Sequence, residues 1–328
     1  MKEFNVTGLC VPHMHYMADM SAKIAQIKSL VKKGRYFTIN RARQYGKTTT
    51  LYMLKKKLSD EYLPITISFE GIGDEAFESA EKFCLTFLEM ISIALQFTSA
   101  SIDYRKRWID DTVIDFIKLD QHITKMCKDK KVVLMIDEVD KTSNNRVFLY
   151  FIGMLRSKFL ARQAGEDSTF HSVILAGVYD IKNIKLKILN ESATPHASQS
   201  SQSEMKAAEQ SVIENRIYNS PWNIAVNFGV DMSFNPAEIS VMLKEYEADH
   251  NIGMDIASIS DEVYKYTDGY PFLVSRVCHC IDEELNKNWT VSGIQKAVNK
   301  VAREKNMLLD DLFKNLENNK AIYAMASI

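Results

Sequence analysis

Residues 132–138 read Val132-Val133-Leu134-Met135-Ile136-Asp137-Glu138, five apolar side chains in a row running straight into two acids. A strand that is apolar on both faces has to be covered by helices on both, as a central strand of a parallel sheet is. The flanking sequence supplies such helices. Upstream, Arg35–Ile39 reads as a strand, Lys47–Ser59 as a helix with Leu51, Leu54 and Leu58 on one face, and Ile65–Phe69 as a second strand. A long helical region follows from Glu75 to Cys127, with a break expected near Thr98–Tyr104. Downstream, a helix over Arg146–Arg162 leads into the strand Ser172–Val178. Strands alternating with helices favour right-handed crossovers and a doubly wound parallel sheet, so the fold class is α/β.

Farther out the pattern changes. Ser21–Lys33 predicts a helix with Ile24, Ile27, Leu30 and Val31 on one face, ending at Gly34. Residues 191–211 are rich in Ser and Gln and almost free of large apolar side chains, so they read as a flexible insertion. Ile224–Phe228 is a last strand candidate. From about Asp231 the chain turns helical, with Pro236 placed for a first turn and a final helical segment at Asn306–Leu316. The expected organisation is an N-terminal lead and helix over 1–34, a sheet domain over 35–230, and a helical lid over 231–328.

Composition narrows the function classes. Of 328 residues, 46% are hydrophobic and 25% charged, which fits a soluble globular protein with a real core. The balance of 41 Lys+Arg against 42 Asp+Glu leaves no global positive field, so charge gives DNA no support as a partner. The greasiest stretch, Phe83–Phe97, carries Glu89 and is too short to span a bilayer, and no export signal is visible, so no membrane is implied and the cytoplasm is the expected location. The five cysteines are scattered and never spaced Cys-x-x-Cys, which indicates neither a disulfide framework nor a zinc site.

The chemistry concentrates after the first strand, in Arg41-Ala42-Arg43-Gln44-Tyr45-Gly46-Lys47-Thr48-Thr49. Gly-Lys-Thr between a strand and a helix is the context of a phosphate-binding loop. Backbone N–H groups at a helix N-terminus face phosphate oxygens, Gly46 allows close approach, Lys47 neutralises β/γ charge, and the Thr48 hydroxyl can ligate Mg²⁺. The full motif places Gly five residues before Gly46; here Arg41 stands there. The other half of the pattern is the acid pair that ends the apolar strand. Asp137 is placed to organise a magnesium-bound water, and Glu138 to take a proton from the attacking one. No Asp or Glu occurs between Asp19 and Asp60, so the loop lies in a locally positive stretch.

Tyr36–Thr50, Val132–Asp140, Val173–Asp180 and Thr267–Val274 together resemble AAA-like ATPases, P-loop NTPases of the additional-strand, catalytic-glutamate class related to AAA+ and STAND proteins. Members of that group often carry an Arg-led loop without the first glycine. The resemblance implies a parallel P-loop sheet sandwiched by helices, with an extra strand between the loop strand and the Asp137 strand, and a helical lid. It further implies ATP and Mg²⁺ as cofactors. Lys47 and Glu138 are then the catalytic residues, Arg43, Gln44, Tyr45, Gly46, Lys47, Thr48 and Thr49 hold the nucleotide, and Thr48 and Asp137 serve the metal. Tyr179 or Asp180 falls where a sensor residue would lie, and Arg156 and Arg276 are candidates for an arginine finger or second sensor, left outside the site set. Related chains often continue into a PD-(D/E)XK nuclease-like domain, for which no room remains before Ile328. The expected activity is ATP hydrolysis coupled to lid or partner movement. The alternatives are a nucleotide-gated switch with negligible turnover, or a shortened relative of an ATPase–nuclease fusion. ATP and ADP are the expected small-molecule partners; a protein partner or self-association stays open.

Overall fold

The computed structural model describes residues 2–139, 145–178 and 221–304. The insertion expected at 191–211, the helix expected at Asn306–Leu316, and Asp140, Tyr179 and Asp180 lie outside them. Packing groups the chain into two compact units. One, the sheet unit, takes Val31–Asn40 and Leu58–Phe228; the other, the lid unit, takes Met1–Leu30, Arg41–Lys57 and Gly229–Ile328.

Four parallel strands form the sheet unit's core: β1 (Tyr36–Asn40), β2 (Leu63–Ser68), β3 (Val132–Asp137) and β4 (Ser172–Gly177), in the order β1-β4-β3-β2. Every residue of β3 and β4 is buried, as the uninterrupted apolar run requires. β4 separates β1 from β3, which is the extra strand the family resemblance implies. Register sets Asn40 beside Gly177 and Ser68 beside Asp137. The ends of β1 and β3 therefore share the carboxyl edge of one sheet, the edge at which such sheets bind ligands.

Helices α3 (Ala80–Leu95), α5 (Phe116–Cys127) and α6 (Arg146–Ala164) belong to this unit, started by the N-caps Ser79, Asp115 and Asn145. Phe83, Phe87 and Phe151 meet at ring-centroid distances of 4.9–6.0 Å, and Phe148 meets Phe69 at 6.0 Å. Each such ring contributes roughly 1.5–3 kcal/mol by burial. The expected long helix over 75–127 is divided: a short α4 (Ile102–Lys106) stands between α3 and α5, and buried Trp108 occupies the second interruption. Lys158 of α6 has no exposed side-chain surface, yet its ammonium reaches the Asp120 and Asp167 carboxylates at 3.0 and 2.6 Å and Thr124 Oγ1 at 2.7 Å. With the Asp120 carbonyl at 2.9 Å as a fourth acceptor, all three ammonium donors are matched, which is what makes a buried cation tolerable.

The strand expected at Ile224–Phe228 does not form. Pro221–Ile224 is a helical turn, and only Val226 bridges to Phe37, through its N–H to the Tyr36 carbonyl at 2.9 Å. Side chains replace the missing ladder: Trp222 Nε1 donates to Thr38 Oγ1 at 3.0 Å, and Phe228 stacks on Phe37 at 5.9 Å.

In the lid unit, α1 (Ser21–Lys32, assigned here up to Leu30) and α2 (Lys47–Leu58, up to Lys57) join α7 (Pro236–His250), α8 (Ile256–Thr267), α9 (Pro271–His279) and α10 (Val291–Arg303). Pro236 occupies the first turn of α7, opened by a capping box between Asn235 and Glu238. The N-terminal segment is built into this unit's core. Phe4 contacts Tyr16, Tyr246 and Trp289 at 5.0, 5.1 and 5.8 Å, Tyr16 Oη donates to Asp249 at 2.9 Å, and Lys23 pairs with Glu238. No helix of the described residues is long and apolar enough to cross a membrane.

Candidate functional site

The loop 41–46 follows β1 in the chain and opens α2 at Lys47. The first N–H groups of a helix have no intrahelical partner, so α2 offers donors and the positive end of its dipole at this point. Gly46 has φ 74°, a left-handed turn that suits glycine, and Gln44 adopts φ 57° without that freedom. A Cβ at Gly46 would meet nothing within 4 Å, so the space before the loop is open. Lys47 is buried, and its ammonium donates to the Arg41 and Ala42 carbonyls at 3.0 and 3.1 Å. Its charge is thus held across the mouth of its own loop.

Two tyrosines tie this loop to the start of α9. Tyr45 meets Tyr270 edge-on at 4.7 Å, and Tyr270 Oη donates to the Arg43 carbonyl. Burial, reinforced by Tyr45, pushes the Tyr270 phenol up to about 12, so it stays a donor at neutral pH. Arg41, standing where the full motif has glycine, donates to the Val230 carbonyl at 2.8 Å.

Within the same unit lies a cavity of about 350 Å³. Tyr45, Gly46 and Thr49 line it from the loop and α2, Met17 from the N-terminal segment, Phe234 from the loop before α7, and Phe272 from α9. Thr50 is fully buried, and its Oγ1 has no hydrogen-bond partner among the described residues. An orphaned buried hydroxyl costs about 1–3 kcal/mol. Apolar walls ending at helix donors can take a flat aromatic group and an attached anion together. Sequence reading gave the N-terminal segment no part in this: Asn5–Met20 carries no local motif, and its place at the cavity is a product of tertiary packing.

The acid pair is a feature of the sheet unit. Asp137, 4% exposed, ends β3 and accepts the Glu138 N–H on Oδ1 at 3.0 Å. Glu138 takes φ 55°, a strained value for a residue with a Cβ, of the kind that clusters at functional sites. Glu138 is half-buried, one residue beyond the carboxyl end of β3. Thr48 and Thr49 fall in the first turn of α2, Thr48 exposed and Thr49 accepting the Cys10 N–H at 3.2 Å. Arg156 donates to Asn223 at 2.9 Å, and Arg276 is held by Glu284 at 2.8 Å and Glu304 at 3.0 Å, so both arginines serve local networks. Arg43 is exposed, and its carbonyl accepts from Tyr270 Oη.

A family model for an AAA-like domain matches residues 11–191, more than half of the chain. The chain belongs to the AAA-like family. This AAA-like chain matches no curated protein. Among solved structures, a Walker-type ATPase of Pyrococcus abyssi superposes with a TM-score of 0.59 at 12% identity, covering 97% of this chain and 80% of that one. The Aeropyrum pernix ORC2 protein with ADPNP and ADP aligns with a TM-score of 0.45 at 13% identity, over 88% of this chain and 68% of that one. Cdc6p from Pyrobaculum aerophilum gives 0.43 at 14% identity, over 90% and 69%. At 12% identity the first likeness shows the fold. The AAA-like chain carries an ATPase domain with a parallel sheet flanked by helices and a helical C-terminal region.

Proposed function

We propose that this AAA-like domain binds Mg·ATP and hydrolyses it, and that nucleotide state drives a lid or partner-binding conformational change. The observation that carries this reading is the opening of α2: Gly46-Lys47 leads a helix N-terminus onto a cavity with apolar walls and a buried, orphaned hydroxyl. Lys47 would exchange its loop carbonyls for β/γ-phosphate oxygens, and the N–H groups of Gln44–Thr49 would cradle the chain of phosphates. Arg43, exposed beside them, adds countercharge. Tyr270 reports occupancy to α9, since its bond to the Arg43 carbonyl is made by the same loop the phosphates would order.

Thr48 and Asp137 would serve Mg²⁺; a hydroxyl and a carboxylate are the hard oxygen donors that cation takes. The metal, when bound, neutralises charge on the phosphates. Glu138 would accept the proton of the attacking water, for which its place one residue beyond β3 is the support. A second reading, a nucleotide-gated switch with negligible turnover, draws on Arg41: it fills the first glycine's position and is engaged with Val230.

Calorimetric titration with Mg·ATP tests the assignment. Lys47→Ala removes the countercharge, and affinity is expected to fall at least about tenfold, or about 1.4 kcal/mol. Equal affinities in the wild type and the variant would remove the phosphate-loop assignment.

A further inference from the structure

Asp137 and Glu138 stand at the carboxyl edge of the sheet; its amino edge carries a different chemistry. In the order β1-β4-β3-β2, the segments entering the strands lie side by side along that edge: residues 33–35 before β1, His171 before β4, residues 128–131 before β3 and Tyr62 before β2. Hydrogen bonds fix them as neighbours. Arg162 donates to the Gly34 carbonyl at 2.7 Å and to the His171 carbonyl at 2.6 Å, and the His171 N–H donates to the Val132 carbonyl at 2.7 Å. Lys33, Arg35, Lys128 and Lys131 are exposed, and among the described residues none of the four has a carboxylate within ion-pair distance. The edge is also concave: Lys128, Lys131, Arg162 and His171 line a cleft of about 340 Å³. Two acids border it. Asp167 is taken up by Lys158 at 2.6 Å, which leaves the exposed Asp129. Burial, and after it the Arg162 and Lys131 charges, hold His171 below the ordinary histidine value, so its ring is neutral at pH 7 and sits in the positive field of the cleft. That ring lies 5.0 Å from the half-buried ring of Tyr62.

We propose that the amino edge of the sheet unit binds single-stranded nucleic acid. Lys128 and Lys131 take phosphates at one side of the cleft, Lys33 and Arg35 take them at the other, and the His171–Tyr62 pair offers a stacking surface to an unpaired base. Adjacent strands are about 4.8 Å apart, so β1 and β3, with β4 between them, present their cations roughly 10 Å apart, to different phosphates of one strand. Like charges gathered without partners repel one another, and a polyanion supplies the partners. Because the chain's charges balance at −1 overall, the surplus is local to this edge. A duplex satisfies the cations but keeps its bases stacked on one another, so the rings favour the single strand. The surface lies at the opposite end of β3 from Asp137 and stands independently of the nucleotide reading.

Fluorescence anisotropy of a labelled oligothymidylate of about 20 nucleotides, titrated with the full chain, tests this, with a duplex of equal length and phosphatidylserine vesicles as the other probes. At about 50 mM salt the single strand is expected to bind at least about tenfold more tightly than the duplex, and four phosphate contacts at about 0.7 each give a log–log salt slope of about −3. The pairs Lys128→Glu with Lys131→Glu and Lys33→Glu with Arg35→Glu are each expected to lower affinity at least about tenfold. Lys244→Glu with Lys265→Glu, which reverses two exposed lysines of the lid unit, is expected to change it less than about twofold. Tyr62→Ala is expected to weaken binding at least about fivefold with the salt slope unchanged. Glutamine versions of the same edge pairs, with melting temperatures within a few degrees of the wild type, are expected to weaken binding as well, which separates lost charge from lost folding. Equal affinities of the edge pairs and the lid pair, tighter binding of the duplex or the vesicles than of the single strand, or no binding at about 50 mM salt would overturn the proposal.

Discussion

Thr50 shows how one side chain separates folding from binding. Its hydroxyl is buried without a partner, a cost the folded chain carries in its empty state. Thr50→Val keeps the shape and deletes the orphan, so the melting temperature without nucleotide is expected to rise by a few degrees. ATP affinity is expected to fall about threefold or more, because the ligand loses its partner. Melting curves with and without ATP check both signs; an unchanged ligand-induced shift would show that the hydroxyl faces no ligand. Lys47 behaves in the opposite way, being satisfied in the empty loop by two carbonyls, so its replacement acts mainly on binding. Of these two residues only Lys47 was legible in the sequence. Gly-Lys-Thr is a contiguous pattern, whereas Thr50 gains its meaning from walls contributed by residues distant in the chain.

At the level of elements, the turn between α8 and α9 is set by Gly269. Its φ is 66°, and an added Cβ would lie 1.8 Å from the Phe234 carbonyl oxygen, while Phe234 N–H donates to the Gly269 carbonyl at 2.7 Å. No rotamer relieves a clash with backbone, so Gly269→Ala is expected to destabilise the lid unit by more than about 3 kcal/mol. Urea unfolding checks this, and a change below 1 kcal/mol would show that the turn yields. Elements whose pattern is local were legible from the residues: β3 through its apolar run, α7 through Pro236 in its first turn, α1 through the apolar face of Ile24, Ile27, Leu30 and Val31. Those that depend on distant partners were not. Ile224–Phe228 has the composition of a strand, yet Pro221 and the Trp222–Thr38 bond leave a single bridge in place of a ladder. Glu75–Cys127 reads as one broken helix, but Trp108 is drawn into the core and adds a second break. Phe4 and Tyr16 show no pattern that announces their packing on Tyr246.

For the whole molecule, acid sensitivity follows from two imidazoles in the sheet unit. Burial is the main cause that holds His122 and His171 below the ordinary histidine value. The folded state then prefers them neutral, while the unfolded chain protonates them near roughly pH 6.5. Their contribution to stability is therefore full above that pH and is lost as pH falls through it toward the lowered folded values. Melting temperature is expected to drop between pH 7.5 and 5, and a His122→Gln, His171→Gln double variant to flatten that drop; equal slopes would assign the decline to carboxylates. The account of the molecule as an ATPase rests on two halves that lie far apart in the chain, the loop that opens α2 and the acid pair that ends β3. Phosphate release at saturating Mg·ATP by the wild type and by Glu138→Gln, whose side chain keeps its shape but cannot take a proton, tests their joint action most directly. The account predicts steady release by the wild type and a rate at least about a hundredfold lower in the variant, with ATP binding retained; equal rates in the two proteins, or no release by a wild type that binds ATP, would contradict it.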